Sequence, residues 1–198
     1  MPTLYIIAGP PGIGKSTNAR TFVPTDIPIE NSDLLANYLK SKGEVDYQEI
    51  AFDKIIAKSK ENSLIGIDFG IEINLGYQIP HYSIVRFLKE KFNYRVEVVL
   101  FFTDSLELCL SRVLDRERKG GHRVPEQIVR EMYANTIPLL HKNIFLIDHL
   151  QFVNVTETSL SPELVYSGYY PKQTCEFCQD DLPNWVTDNF KEDTFLRP

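Results

Sequence analysis

Eight residues near the start constrain this chain more than any other feature of it: Gly9-Pro10-Pro11-Gly12-Ile13-Gly14-Lys15-Ser16 fits the pattern G-x-x-x-x-G-K-S/T without a gap. The run follows Thr3 to Ala8, which is β-rich and nearly all apolar, the pattern of a strand buried on both faces. It opens a helical stretch at Lys15. Glycine at these positions lets backbone N–H groups turn inward, and the helix start adds the positive end of its dipole. A strand, turn and helix so arranged cradle phosphate oxygens. Gly9, Gly12, Ile13, Gly14, Lys15, Ser16 and Thr17 are therefore expected to bind a nucleoside triphosphate. Lys15 should reach the β- and γ-phosphates, Ser16 should hold Mg²⁺, and Thr17 should reach the α-phosphate. No guanine-reading N-K-x-D occurs in the sequence, which favours ATP.

Hydrophobic patterning then alternates strands with helices. Strands are expected at Thr3–Ala8, Ile27–Glu30, Leu64–Ile73, Arg95–Thr103 and Leu150–Val155. Helices are expected at Lys15–Phe22, after the Asn31-Ser32-Asp33 capping cluster, and at Tyr47–Ser59, Pro80–Phe92 and Leu106–Arg118. One more runs from Pro125 to about Thr136. The fold class that follows is α/β, a P-loop NTPase three-layer α/β/α sandwich with a mainly parallel sheet and a helical lid. From Ser167 the chain turns to Gly, Tyr, Pro, a Cys pair, and acidic and aromatic residues. The expected division is a kinase-type domain over 1–166 and a C-terminal extension over 167–198.

Composition narrows the function classes. A chain of 198 residues, 43% apolar and 24% charged, buries a sizeable core without metals or disulfides. Its net charge of −6 argues against a nucleic-acid-coating protein. No apolar run is long enough for a bilayer, and the start lacks a basic leader, so no membrane partner is expected. Three cysteines, an odd number, suit a reducing cytoplasm. Cys175-Glu176-Phe177-Cys178 has metal-ligand spacing but no second pair, so an ordinary reduced pair is expected.

In an open α/β sheet, ligands lie beyond the carboxyl ends of the strands, and acids there are candidates for the chemistry. Asp33 follows the second expected strand. It is either the base that takes a substrate hydroxyl proton or a helix cap. Leu64-Ile65-Gly66-Ile67-Asp68 has the form of an apolar strand ending in a Mg²⁺-holding acid, which makes Asp68 a metal candidate beside Ser16. Glu72 suits the end of the same strand, for substrate hydroxyls or the Mg²⁺ shell, and Asp104 reads as a helix cap. Arg112, Arg116, Arg118, Lys119, Arg123 and Arg130 form a basic stretch in an acidic chain. Arg112 and Arg116 share a helix face, and Gly120-Gly121 supplies a hinge. Such a segment is expected to close over the triphosphate and stabilise charge in the transition state.

Four blocks resemble the zeta-toxin-like P-loop kinases: the phosphate loop, Asn31-Ser32-Asp33, Glu72-Ile73-Asn74-Leu75, and Arg112-Val113 leading to Gly120-Gly121-His122-Arg123-Val124-Pro125-Glu126. The resemblance covers about residues 3 to 155. It implies that Lys15 and Ser16 serve ATP and Mg²⁺ and that Asp33 is the acceptor's base. It implies further that Arg112 or Arg116 stabilises the moving phosphoryl group, and that Glu72, Asn74, His122 and Arg123 lie on the substrate side. Departures are His122 for an arginine, Asn74 for a threonine, Glu131 and Met132 after Arg130, and a longer stretch from Gly76 to His81. The implied activity is γ-phosphoryl transfer to a small-molecule hydroxyl, as on UDP-N-acetylglucosamine, with an antitoxin-like partner. Rival expectations are a nucleoside, nucleotide or polynucleotide-end kinase, and an ATP-dependent switch with no acceptor.

Overall fold

The structure, a computed structural model, describes residues 1–121, 123–157, 161–170 and 172–190. Its elements in chain order are β1 (Thr3–Ala8), α1 (Lys15–Phe22), β2 (Ile29–Asn31), α2 (Ser32–Ser41), α3 (Tyr47–Ile65) and β3 (Phe69–Glu72). A kinked turn at Gln78–Tyr82, with Ile79 extended, leads into α4 (Ser83–Phe92). Then come β4 (Arg95–Phe102), α5 (Leu106–Arg118), α6 (Glu126–Asn143), β5 (His149–Asn154), β6 (Glu163–Tyr169), β7 (Thr174–Cys178) and α7 (Asn184–Phe190).

Seven strands form one sheet in the order β2-β3-β1-β4-β5-β6-β7. The first five are parallel, and β6 and β7 are added antiparallel at one edge. Alternation along each strand feeds two cores. Leu4, Ile6 and Ala8 of β1 join Val96, Val98 and Leu100 of β4 on one face, under α4 and α7. Ile7 joins Val99, Phe101 and Val153 on the other, against Ala19 of α1 and Cys109 and Val113 of α5. Strands buried on both faces must be apolar at nearly every position, which is why β1 and β4 read as they do. The three-layer parallel expectation is borne out.

Three local expectations are corrected. Leu64 and Ile65 belong to the last turn of α3, not to a strand, and are 76% and 70% exposed. Gly66 ends that helix at φ 68°, a left-handed cap that glycine takes at no steric cost. Strand β3 starts only at Phe69. Helix α6 runs on past Thr136 through Pro138 to Asn143. The expected boundary between 166 and 167 falls inside β6, and Trp185, Val186 and Phe190 of α7 are buried in the main core. Residues 167–190 thus complete the sheet and its cover, where the sequence suggested an appendage. Among the described residues no helix is long and apolar enough to cross a membrane.

Candidate active site

The carboxyl ends of β1, β2 and β3 open onto one cleft. After Ala8 the chain turns through the phosphate loop, where two glycines are obligatory. A Cβ on Gly9, at φ 134°, would lie 2.2 Å from the Phe101 carbonyl oxygen. One on Gly12, at φ 83°, would lie 2.3 Å from the Cys109 carbonyl oxygen. The loop is therefore pressed against β4 and α5, with Ile13 fully buried as its anchor. Its N–H groups wrap a hollow at the start of α1, the geometry that favours bound phosphate.

Lys15 is buried, and its ammonium donates to the carbonyls of Gly9 (2.8 Å) and Pro10 (3.1 Å) and to Asn74 Oδ1 (2.8 Å). Burial lowers its pKa; Glu72 and Asp33 pull the other way. Ser16 Oγ donates to Glu72 Oε1 at 2.8 Å. Asn31 Nδ2 donates to Glu72 Oε2 at 2.6 Å and lies 3.2 Å from Ser16 Oγ. The hydroxyl of Ser16 and the carboxylate of Glu72 are hard oxygen donors, the kind that Mg²⁺ accepts.

Asp33 sits in the first turn of α2 but does not cap it: the Leu34 N–H donates to Asn31 Oδ1 at 3.0 Å. Its carboxylate is half exposed and faces Arg116 Nη1 at 4.0 Å. Arg116 Nε and Nη2 are buried without a hydrogen-bond partner, so this guanidinium is left with donors to spend. Arg112 Nη1 donates to the Ile13 carbonyl at 3.3 Å, tying α5 to the phosphate loop. A cavity of about 500 Å³ is lined by Gly12, Lys15, Asp33, Arg112 and Arg116 on one side and by Val155, Thr156 and Pro162 beyond β5 on the other. Cys109, beneath the loop, has its thiol pushed up to about 11 by burial and is no nucleophile.

The structure therefore gathers Gly9, Gly12, Ile13, Gly14, Lys15, Ser16, Thr17, Asp33, Glu72, Asn74, Arg112 and Arg116 around one cleft. It does not bring in Asp68. That residue precedes β3 at the opposite end of the sheet, where its Oδ1 accepts from the Thr3 N–H at 2.7 Å. The expected Mg²⁺ role of Asp68 fails on position, and Glu72, beside Ser16, stands where such an acid is needed. Asn74 bonds Lys15 rather than facing outward. Arg123 is 75% exposed, pairs with Glu117 at 3.5 Å, and lines a separate cavity between α5 and α6. His122 lies outside the described residues. Asp104 does not cap α5, a task Ser105 performs; it receives the N–H groups of Asn184 (3.2 Å) and Trp185 (2.6 Å) of α7. Sequence reasoning missed the bridging role of Asn31, and it missed His81 and Phe52, which line a smaller cavity with Asp33 and Glu72.

No family model and no curated protein sequence matches the chain. Solved structures do. A chain of the native AvrRxo1-ORF1:-ORF2 complex superposes with a TM-score of 0.68 at 17% identity, covering 98% of this chain and 66% of that one. The same pair with ATP gives 0.65 at 17% identity, covering 84% of this chain and 58% of that one. This chain thus spans 58% of the length of the AvrRxo1 chain in its ATP- and sulphate-containing structures. A chain of the PezAT chromosomal toxin–antitoxin system of Streptococcus pneumoniae gives 0.66 at 18% identity, covering 98% of this chain and 80% of that one. At these identities the likeness is one of architecture: the chain shares the fold of the AvrRxo1 and PezAT chains.

Proposed function

We propose that the protein is an ATP-dependent phosphotransferase that moves the γ-phosphoryl group to a hydroxyl of a small molecule. One observation carries this reading. The buried Lys15 ammonium, the Ser16–Glu72 pair and the uncapped Asp33 carboxylate converge on a single cleft with Arg116. A switch that only binds nucleotide needs the phosphate loop and one acid for Mg²⁺, but not a second acid facing the cleft.

The phosphate loop would hold the triphosphate, and the stretch between Arg112 and Thr156 has room for the nucleoside. Ser16 and Glu72 would hold Mg²⁺, which would neutralise charge on the triphosphate. The acceptor oxygen attacks the γ-phosphorus, forming one P–O bond as the bond to the β-phosphate oxygen breaks and ADP leaves. Asp33 takes the proton of the attacking hydroxyl. Lys15 and Arg116 bear the charge that develops on the moving group. Among hydroxyl acceptors, a UDP-sugar such as UDP-N-acetylglucosamine is the one that the sequence resemblance implies. An antitoxin-like partner is proposed too; it is supported by likeness of fold to chains of a toxin–antitoxin system and of a two-component complex.

The test is to incubate the protein with γ-labelled ATP and a metabolite extract and to resolve labelled products. A product formed by the wild type and absent with Lys15→Ala is expected. ATP binding without any labelled product would leave the nucleotide-binding switch as the better reading.

A further inference from the structure

Behind the phosphate loop lies a second, smaller cavity of about 50 Å³, lined by Asn31, Asp33, Phe52, Glu72 and His81 with Lys15 at its mouth. Such a space admits a few water-sized groups, enough for a hydroxyl-bearing fragment and too little for a nucleobase. His81 lines it from the kinked turn at Gln78–Tyr82, in the stretch by which this sequence departs from its resemblance.

The state of this imidazole follows from its contacts. The Tyr77 N–H donates to Nδ1 at 3.3 Å, so Nδ1 is an acceptor and the ring proton lies on Nε2. Burial, with Lys15 nearby, depresses its pKa to about 4, so the ring is neutral and serves as a donor, not as a base. The rest of the wall has the opposite character. Asp33 and Glu72 accept, and the three ammonium donors of Lys15 already have partners. Among the described residues lining this cavity there is no further cation; Arg116 belongs to the larger one.

We infer that His81 positions the acceptor, its Nε2–H donating to an oxygen beside the hydroxyl that Asp33 faces, with the Phe52 ring as a further wall. This rests on the kinase reading above. The fragment seated there is uncharged and carries neighbouring oxygens on carbon. It donates to the carboxylates and accepts from His81. A hydroxyl as acceptor has a proton for Asp33 and a neighbouring oxygen for His81, which is the pairing this wall offers.

The test compares wild type, His81→Asn and His81→Gln in the labelled-ATP reaction over serial dilutions of the metabolite extract. Asparagine places a polar atom near the position of Nδ1 and keeps the Tyr77 contact, but it cannot reach as far as Nε2. Glutamine carries an N–H to that distance. His81→Asn is expected to need about ten times more extract for half-maximal rate, the loss of one neutral hydrogen bond. Its ATP affinity by calorimetry should be unchanged, and His81→Gln should recover most of the effect. The labelled product should be a phosphomonoester stable to hot dilute acid. An unchanged extract dependence in His81→Asn would overturn the inference, as would an acid-labile phosphoanhydride product. So would equal losses in both variants accompanied by weaker ATP binding. Absence of labelled product with wild type would instead defeat the kinase reading itself.

Discussion

Asn31 and Asp33 are two positions apart and divide two tasks that the sequence leaves merged. Asn31 caps α2 and clamps Glu72; Asp33 is left free to face the cleft. Asp33→Asn should therefore leave the melting temperature nearly unchanged while phosphoryl transfer falls by about 10²–10⁴-fold, the usual worth of a positioned base. Asn31→Ala should behave oppositely in stability, losing about 1 kcal/mol with the cap. Steady-state kinetics and thermal melts of the two variants separate the roles. His81 supplies a second residue-level expectation. Its pKa falls from 6.5 unfolded to about 4 folded, among Lys15, Asp33 and Glu72. The unfolded chain binds the extra proton between those values. This contribution is thus complete above pH 6.5 and is lost as pH falls toward 4, by about 3 kcal/mol. Urea midpoints across that window should slope for wild type and flatten in His81→Gln. The phosphate loop was legible in sequence because its demands are local, fixed by backbone conformation at set spacing. His81 was not, because nothing near it in the chain shows that a turn will aim it at Asp33.

At the scale of elements, α5 is the piece with most at stake. Arg112 and Arg116 lie one turn apart, the first spent on the Ile13 carbonyl and the second with free donors. Gly120 and Gly121 follow the helix end. Saturation with a non-hydrolysable ATP analogue should slow amide exchange around residues 112–121, since a nucleotide would lie against that face. Arg116→Ala should cut turnover by about a hundredfold, yet change stability little because its ion pair with Asp33 is long and half exposed. Unchanged exchange, with full activity of both Arg112→Ala and Arg116→Ala, would reduce α5 to a charged surface helix. Elements with whole turns of consistent pattern, such as α5, were readable to the residue. The stretch Leu64–Asp68 was not. β-branched and apolar residues around a glycine suit a strand, and also suit a helix end with a left-handed cap; only the exposure of Leu64 and Ile65 decides. That single misplaced boundary carried the Mg²⁺ acid from Glu72 to Asp68.

For the molecule as a whole, the parallel half of the sheet was legible and its antiparallel edge was not. Alternating βα units announce themselves by period and spacing. Strands β6 and β7 are rich in Tyr and Cys and pair with register shifts, so their pattern is weak. The Phe152 ring of β5 meets Trp185 edge-on and Phe190 at a tilt, with centroids 5.2 and 4.6 Å away, joining α7 to the core. A chain ended at residue 166 would cut β6 and strip the cover from Phe152. It should lose cooperative melting and collect as aggregate. A soluble, cooperatively folded 1–166 fragment would restore the two-part division.

Asp104 gives this edge a meaning in time. It stands at the carboxyl end of β4, on the rim that the nucleotide would occupy, yet its two oxygens receive the backbone of a helix 80 residues further on. Until a ribosome has made that helix, the carboxylate lacks those partners and Phe152 lacks its cover. Translation must therefore pass Phe190 before this edge is closed, and a message broken upstream of that codon yields chains whose core lies open at β5.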